Sequence, residues 1–169
     1  MKNIIIRIII SIVVILVISA CSKEEEETTS TSTTPTYTCT GSSSGSGPTI
    51  GGVTLKEATY KEGSTSFMFV NSTSANVVIS GGDSYCYTID ATSTTATMQK
   101  MNSSGTGVDN VTAYYTTMKQ GTWTDTPTTF HMYIYADTDS SFYINSFSFT
   151  TKAGADGYPY LLGAAYTKQ

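Results

Sequence analysis

The chain has 169 residues, a net charge of −4 and a pI near 4.8, and only 13% of it is Asp, Glu, Lys or Arg, about half the usual share. Threonine (31) and serine (22) stand where charges usually do. That length holds one folded domain, nine scattered cations make no basic stripe for nucleic acid, and abundant Thr, Tyr, Val and Ile favour strands over helices.

Residues 1–20 read as a lipoprotein signal peptide. Lys2 and Arg7 supply a basic start, and Ile8 to Ile18 form an aliphatic run. Eleven helical residues span roughly 16 Å, half of a bilayer core, which is too short to cross it. The run closes on Ile18-Ser19-Ala20-Cys21, which resembles the bacterial lipobox. The resemblance implies cleavage before Cys21 and lipidation of its thiol, so that acyl chains anchor the protein to a membrane without spanning it. Ser22-Lys23 and then Glu24 to Glu27 follow. This looks like the acidic tag that sends Bacteroidota lipoproteins to the outer face of the outer membrane, although spirochaete lipoproteins also begin with acidic tethers. The expected location is therefore the outer membrane, lipid-anchored and facing the cell exterior.

Residues 21–48 are expected to be the lipidated cysteine and a flexible stalk. From Thr28 to Pro48 the chain is almost wholly Thr, Ser, Gly and Pro, which cannot bury enough apolar surface to offset its ordering entropy. Counted from Ser22, about 27 residues of stalk have a random-coil reach near 30 Å. Gly41-Ser42-Ser43-Ser44-Gly45 matches the G-x-S-x-G nucleophile pattern in letters only, because that chemistry needs a strand-to-helix turn and a nearby histidine.

Residues 49–169 are expected to be the folded domain. Short alternating or apolar runs predict strands over 53–60, 66–70, 75–80, 85–91, 94–101, 111–118, 129–136, 142–150 and 158–165, separated by Gly, Asn, Asp and Ser clusters. A helical turn over 55–59 is the only competitor. The class is all-β and antiparallel. A β-sandwich, immunoglobulin-like or jelly-roll, is expected from the one-sided alternation, with an up-and-down barrel as the alternative. The predicted core is Phe67, Phe69, Val77, Ile79, Ile89, Met98, Phe130, Met132, Ile134, Phe147 and Phe149. Once Cys21 carries lipid, Cys39 and Cys86 remain as an even pair outside the cytoplasm, which favours a disulfide.

Chemistry-bearing residues are few. His131 is the only histidine, and the carboxylates of the domain sit mostly alone at turns. No enzyme, metal or cofactor is expected. Asp137 and Asp139 have the i, i+2 spacing of a calcium turn, but aspartate in a turn usually caps its own backbone. The aromatic inventory points elsewhere. Alternation sends Phe130, Met132 and Ile134 to one face and His131, Tyr133 and Tyr135 to the other, with Tyr143 and Asn145 on a neighbouring strand and Trp123 in a loop. Flat rings beside amide and hydroxyl groups suit sugar recognition. The candidate ligand-binding residues are therefore Trp123, Tyr133, Tyr135, His131, Tyr143 and Asn145. Phe142 to Phe149 is similar to a late strand of jelly-roll carbohydrate-binding modules, with Asn145 where those have Asp, and also looks like the last hairpin of small Bacteroidota lipoproteins. The expected function is a cell-surface binding module for a glycan. The alternatives are an interaction subunit of an envelope complex and a lipocalin-like binder of a small apolar molecule.

Overall fold

The computed structural model describes residues 38–41, 43–121 and 126–169. The signal peptide, Cys21, the acidic tag and Trp123 lie outside the described residues.

Eleven strands and one short helix follow in order: β1 (Ser46–Ile50), β2 (Val53–Lys56), β3 (Thr59–Glu62), β4 (Thr65–Asn71), β5 (Ser74–Val78), β6 (Ser84–Met101), β7 (Gly107–Gln120), β8 (Thr129–Thr138), β9 (Ser141–Ile144), α1 (Lys152–Asp156), β10 (Tyr160–Leu161) and β11 (Tyr166–Lys168). Strands β3 to β9 form an antiparallel meander in which each pairs with the next. Seven alternating strands leave the first and last running the same way, so they cannot close antiparallel. Strand β11 resolves this by pairing antiparallel with both β9 and β3. The result is a closed eight-stranded barrel, and the expected sandwich is corrected to the barrel alternative. Period-two alternation is common to both, because each buries one face of every strand.

The barrel interior is filled with rings. Phe67 meets Phe142, Phe147 and Tyr166 edge-on, with centroids 5.6, 5.5 and 4.9 Å apart. Phe142 stacks on Tyr166 at 5.0 Å. Tyr60, Val77, Tyr87, Ile89, Met118, Met132 and Ile134 complete this core. Each such apolar side chain contributes about 1.5–3 kcal/mol on burial. Ile79, placed in the core from sequence, is exposed beyond the end of β5.

The hairpin of β1 and β2 is a separate two-stranded sheet that contacts β4, β6 and β8. Strands β4 and β8 are four apart around the ring, so the hairpin crosses the barrel mouth as a plug, with Ile50 and Leu55 buried in the core. Strand β1 begins inside the stretch expected to be stalk. The segment before it is tied down as well. Ser43 Oγ and the Ser44 and Gly45 N–H groups all donate to the Glu57 carboxylate, at 2.9, 3.1 and 2.7 Å. Ahead of these, Cys39 is disulfide-bonded to Cys86, and its N–H donates to Asn76 Oδ1 at 2.7 Å. A charged partner and a covalent bond order these Ser/Gly residues, although their composition buries little.

The two strands predicted over 85–101 are one, β6, with a bulge between Ala91 and Thr95. Thr92 Oγ1 donates to the Tyr115 carbonyl across it at 2.9 Å. Strand β7 pairs with β8 only from Tyr114 onward. Beyond the bulge the ribbon of β6 and β7 therefore leaves the barrel, and it lies over the outer side of β8 and β9. Met98, Ala113, Tyr133, Ala155 and Leu161 form a second core there. The strand predicted over 142–150 ends at Ile144, and the chain then runs through α1, N-capped by Thr151, and β10, which pairs parallel with β6.

Candidate ligand-binding cleft

The outer wall of β8 is not the open tyrosine platform expected from alternation. Tyr133 is only 3% exposed, because α1 and the ribbon cover it. Its hydroxyl donates to Asp156 Oδ1 at 2.8 Å. Lys152 pairs with the same carboxylate at 2.7 Å and lies 5.1 Å above the Tyr115 ring and 6.0 Å from that of Tyr133. His131 Nδ1 is hydrogen-bonded to the Tyr115 hydroxyl, and the His131 N–H donates to the Phe149 carbonyl at 2.8 Å. The electrostatics match this closed arrangement. Bonds from Lys152 and Tyr133 hold the Asp156 carboxyl below its ordinary range, the Asp156 partner raises Lys152, and burial raises the Tyr133 and Tyr115 phenols. The cluster is a clasp that fastens α1 to the barrel.

Tyr135 and Tyr143 do come together, stacked with centroids 6.2 Å apart. Lys100 sits 5.2 Å over the Tyr143 ring and within 3.8 Å of Asp109, so the ribbon caps this pair too. Burial, then the bond from its hydroxyl to Asp137 Oδ1, raises the Tyr135 phenol. Asn145 is fully buried, and its amide is spent on the backbone of Tyr133, Ser146 and Ala155. It is corrected from a ligand contact to a structural tie, and Tyr133 likewise. Asp137 and Asp139 turn to different partners, Tyr135 and Lys56. Among the described residues no three His, Cys, Asp or Glu side chains converge as a metal site.

A ligand-sized concavity lies elsewhere, against the segment that follows α1. A cleft of about 600 Å³ runs between the rim of β3, the turn joining β6 to β7, and residues 158–164. Tyr158, Tyr160 and Leu162 line it and are 36%, 39% and 46% exposed, while Leu161 between them is buried in the second core. That split is strand alternation on a two-residue edge strand. Pro159 withholds an N–H and its carbonyl accepts from Gln99 N–H at 2.9 Å. The two tyrosine rings meet edge-on at 5.6 Å and 80°. Met101 and Asn102 form the opposite wall. Asn102 Oδ1 accepts from the Ser104 and Thr106 N–H groups at 3.0 and 2.9 Å, which shapes the turn and leaves its Nδ2 donor without a partner among the described residues. Sequence reasoning missed the tyrosines by reading 158–165 as an ordinary strand. The available signal was apolar residues on both faces of a proline-bearing strand, which marks an edge with a second use.

Comparison of the chain with protein-family models, with curated proteins and with solved structures finds no match.

Proposed function

We propose that this protein is a lipid-anchored outer-membrane lipoprotein whose barrel binds a glycan in the cleft at Tyr158, Tyr160 and Asn102. The observation that carries the reading is the pair of part-exposed tyrosine rings in a cleft of about 600 Å³. Water contact on large rings is unfavourable, and sugar C–H faces relieve it while hydroxyls meet the phenol groups and the Asn102 amide. The site is at the barrel rim, where Glu62 of β3 meets the turn joining β6 to β7 and residues 158–164. The interior is occupied by Tyr60, Phe67, Phe142 and their neighbours, which favours this cleft over a lipocalin-type internal site.

The tether supports the same reading. The signal peptide, Cys21 and the acidic run supply the anchor, and the chain joins the barrel at Cys39, bonded to Cys86 on β6 and to Asn76 on β5. The inner end of the cleft segment is held to β9 by the bond from Leu162 N–H to the Ile144 carbonyl, 2.9 Å. Strand β9 is four strands around from β5. Among the described residues no helix is long and apolar enough to cross a membrane.

The test is a glycan array probed with the detergent-solubilised full chain, followed by Tyr158→Ala and Tyr160→Ala. Each truncation is expected to weaken binding of the retained sugar by up to about tenfold, the value of one good stacking contact. Retention of no sugar, or binding unchanged in both variants, overturns the reading.

A further inference from the structure

Resting on the glycan reading, we propose that the cleft selects a sugar with a free primary ammonium group, and that Glu62 is the residue that pairs with it. Among the described residues Glu62 is the only charged one lining the cleft. Most carboxylates of the barrel are already engaged: Glu57 by three donors, Asp109 by Lys100, Asp139 by Lys56 and Asp156 by Lys152, and Asp137 by Tyr135. The Glu62 carboxylate has neither an ion-pair nor a hydrogen-bond partner among the described residues, and it is half-buried at the barrel rim. A carboxylate in that position lacks the full hydration of an open surface and has no internal counter-charge. A cation entering the cleft supplies one.

The remaining walls favour the same ligand. The edge-on pair Tyr158 and Tyr160 offers ring faces, and an ammonium near such faces gains cation–π attraction that a hydroxyl does not. The nearest cation in sequence, Lys61, alternates to the other side of β3, and Lys100 is held by Asp109 and Tyr143. An ammonium sugar therefore meets attraction from Glu62 without competition. A uronic acid or sulfated sugar meets the lone negative charge and is disfavoured, and an N-acetylated sugar loses the pairing while keeping its ring contacts.

The experiment is calorimetric titration of the full chain in detergent with three oligosaccharides of equal length: β-1,4-linked glucosamine, its N-acetylated form and a cello-oligosaccharide. The glucosamine chain is expected to bind about tenfold tighter than the other two, with the advantage shrinking in high salt. Glu62→Gln is expected to abolish that preference, read as the ratio of glucosamine-chain to cello-oligosaccharide affinity, and Glu62→Asp to retain part of it. Circular dichroism confirms that each variant is folded, and the Asp variant carries the test if the Gln variant is not. Equal binding of all three sugars, or a preference untouched at Glu62, overturns this inference and leaves the glycan reading standing. Binding of none of them, together with an empty glycan array, overturns both.

Discussion

The side-chain oxygen of Asn145 stands in for its own main-chain carbonyl in pairing with Tyr133. The Tyr133 N–H donates to Asn145 Oδ1 at 2.9 Å, while the Asn145 N–H donates to the Tyr133 carbonyl at 3.1 Å. Strand β9 has ended one residue earlier, and the amide completes the ladder as the backbone turns away. The same Oδ1 accepts from the Ser146 N–H at 2.9 Å, and Nδ2 donates to the Ala155 carbonyl at 3.2 Å. One buried amide thus joins the barrel wall, the strand exit and α1.

Asn145→Ala is therefore expected to lower stability by about 3 kcal/mol, because it orphans backbone groups that each cost about 1–3 kcal/mol when buried unpaired. Urea unfolding of the full chain measures the loss, and amide exchange should accelerate at Tyr133. Asn145→Leu should do no better, since its volume fills the site but leaves the same groups unpaired. A change below about 0.5 kcal/mol for Ala would show that water or a local shift satisfies them instead.

What the sequence made legible was the period-two layer. Most strands from β4 to β8 and the interior residues Phe67, Phe69, Val77, Ile89, Met132 and Ile134 follow from alternation alone. The rest was hidden for physical reasons. Strand β1 reads as stalk because Gly47 and Pro48 contribute little apolar area, yet Gly47 is needed where a Cβ would lie 3.1 Å from the Leu55 and Lys56 carbonyls. Tyr133 reads as a surface residue because alternation reports sidedness and not what covers a side; its cover comes from α1 and the folded-back ribbon, distant in sequence. The cleft tyrosines were obscured because the run over 158–165 reads as an ordinary strand, and alternation does not report that one of its faces lines a cleft.

The plug hairpin turns at Gly51 and Gly52, both in the left-handed region, with φ of +60° and +85°. A Cβ on Gly51 would collide with the Tyr114 ring, whereas one on Gly52 would meet nothing within 4 Å. Both Ala substitutions carry the backbone strain of roughly 1 kcal/mol. Gly51→Ala must also displace the ring, adding about 1–3 kcal/mol. Thermal unfolding should therefore rank Gly51→Ala well below Gly52→Ala. Equal melting temperatures would mean that the hairpin tip does not bear on Tyr114.

Alkaline pH offers a test of the interior itself. Tyr166 is 7% exposed and packed flat on Phe142 and edge-on to Phe67. Burial, reinforced by the Glu62 charge, pushes its phenol up to about 12. Its ordinary value in an unfolded chain is about 10. Below about pH 10 the phenol is neutral in both states, and its contribution to stability is fully present. As pH rises towards about 12 the unfolded chain releases the proton while the folded chain keeps it, so stability falls by about 2–3 kcal/mol across that window. Tyr166→Phe keeps the ring and removes the ionisable group. It should flatten that decline in urea midpoints measured from about pH 8 to about 12, leaving the smaller slopes of Tyr60 and Tyr87, whose phenols burial also raises. The same steep decline in Tyr166→Phe would place the alkaline weakness outside the β9–β11 seam. In that case the Tyr166 phenol must already be reached by water in the native barrel.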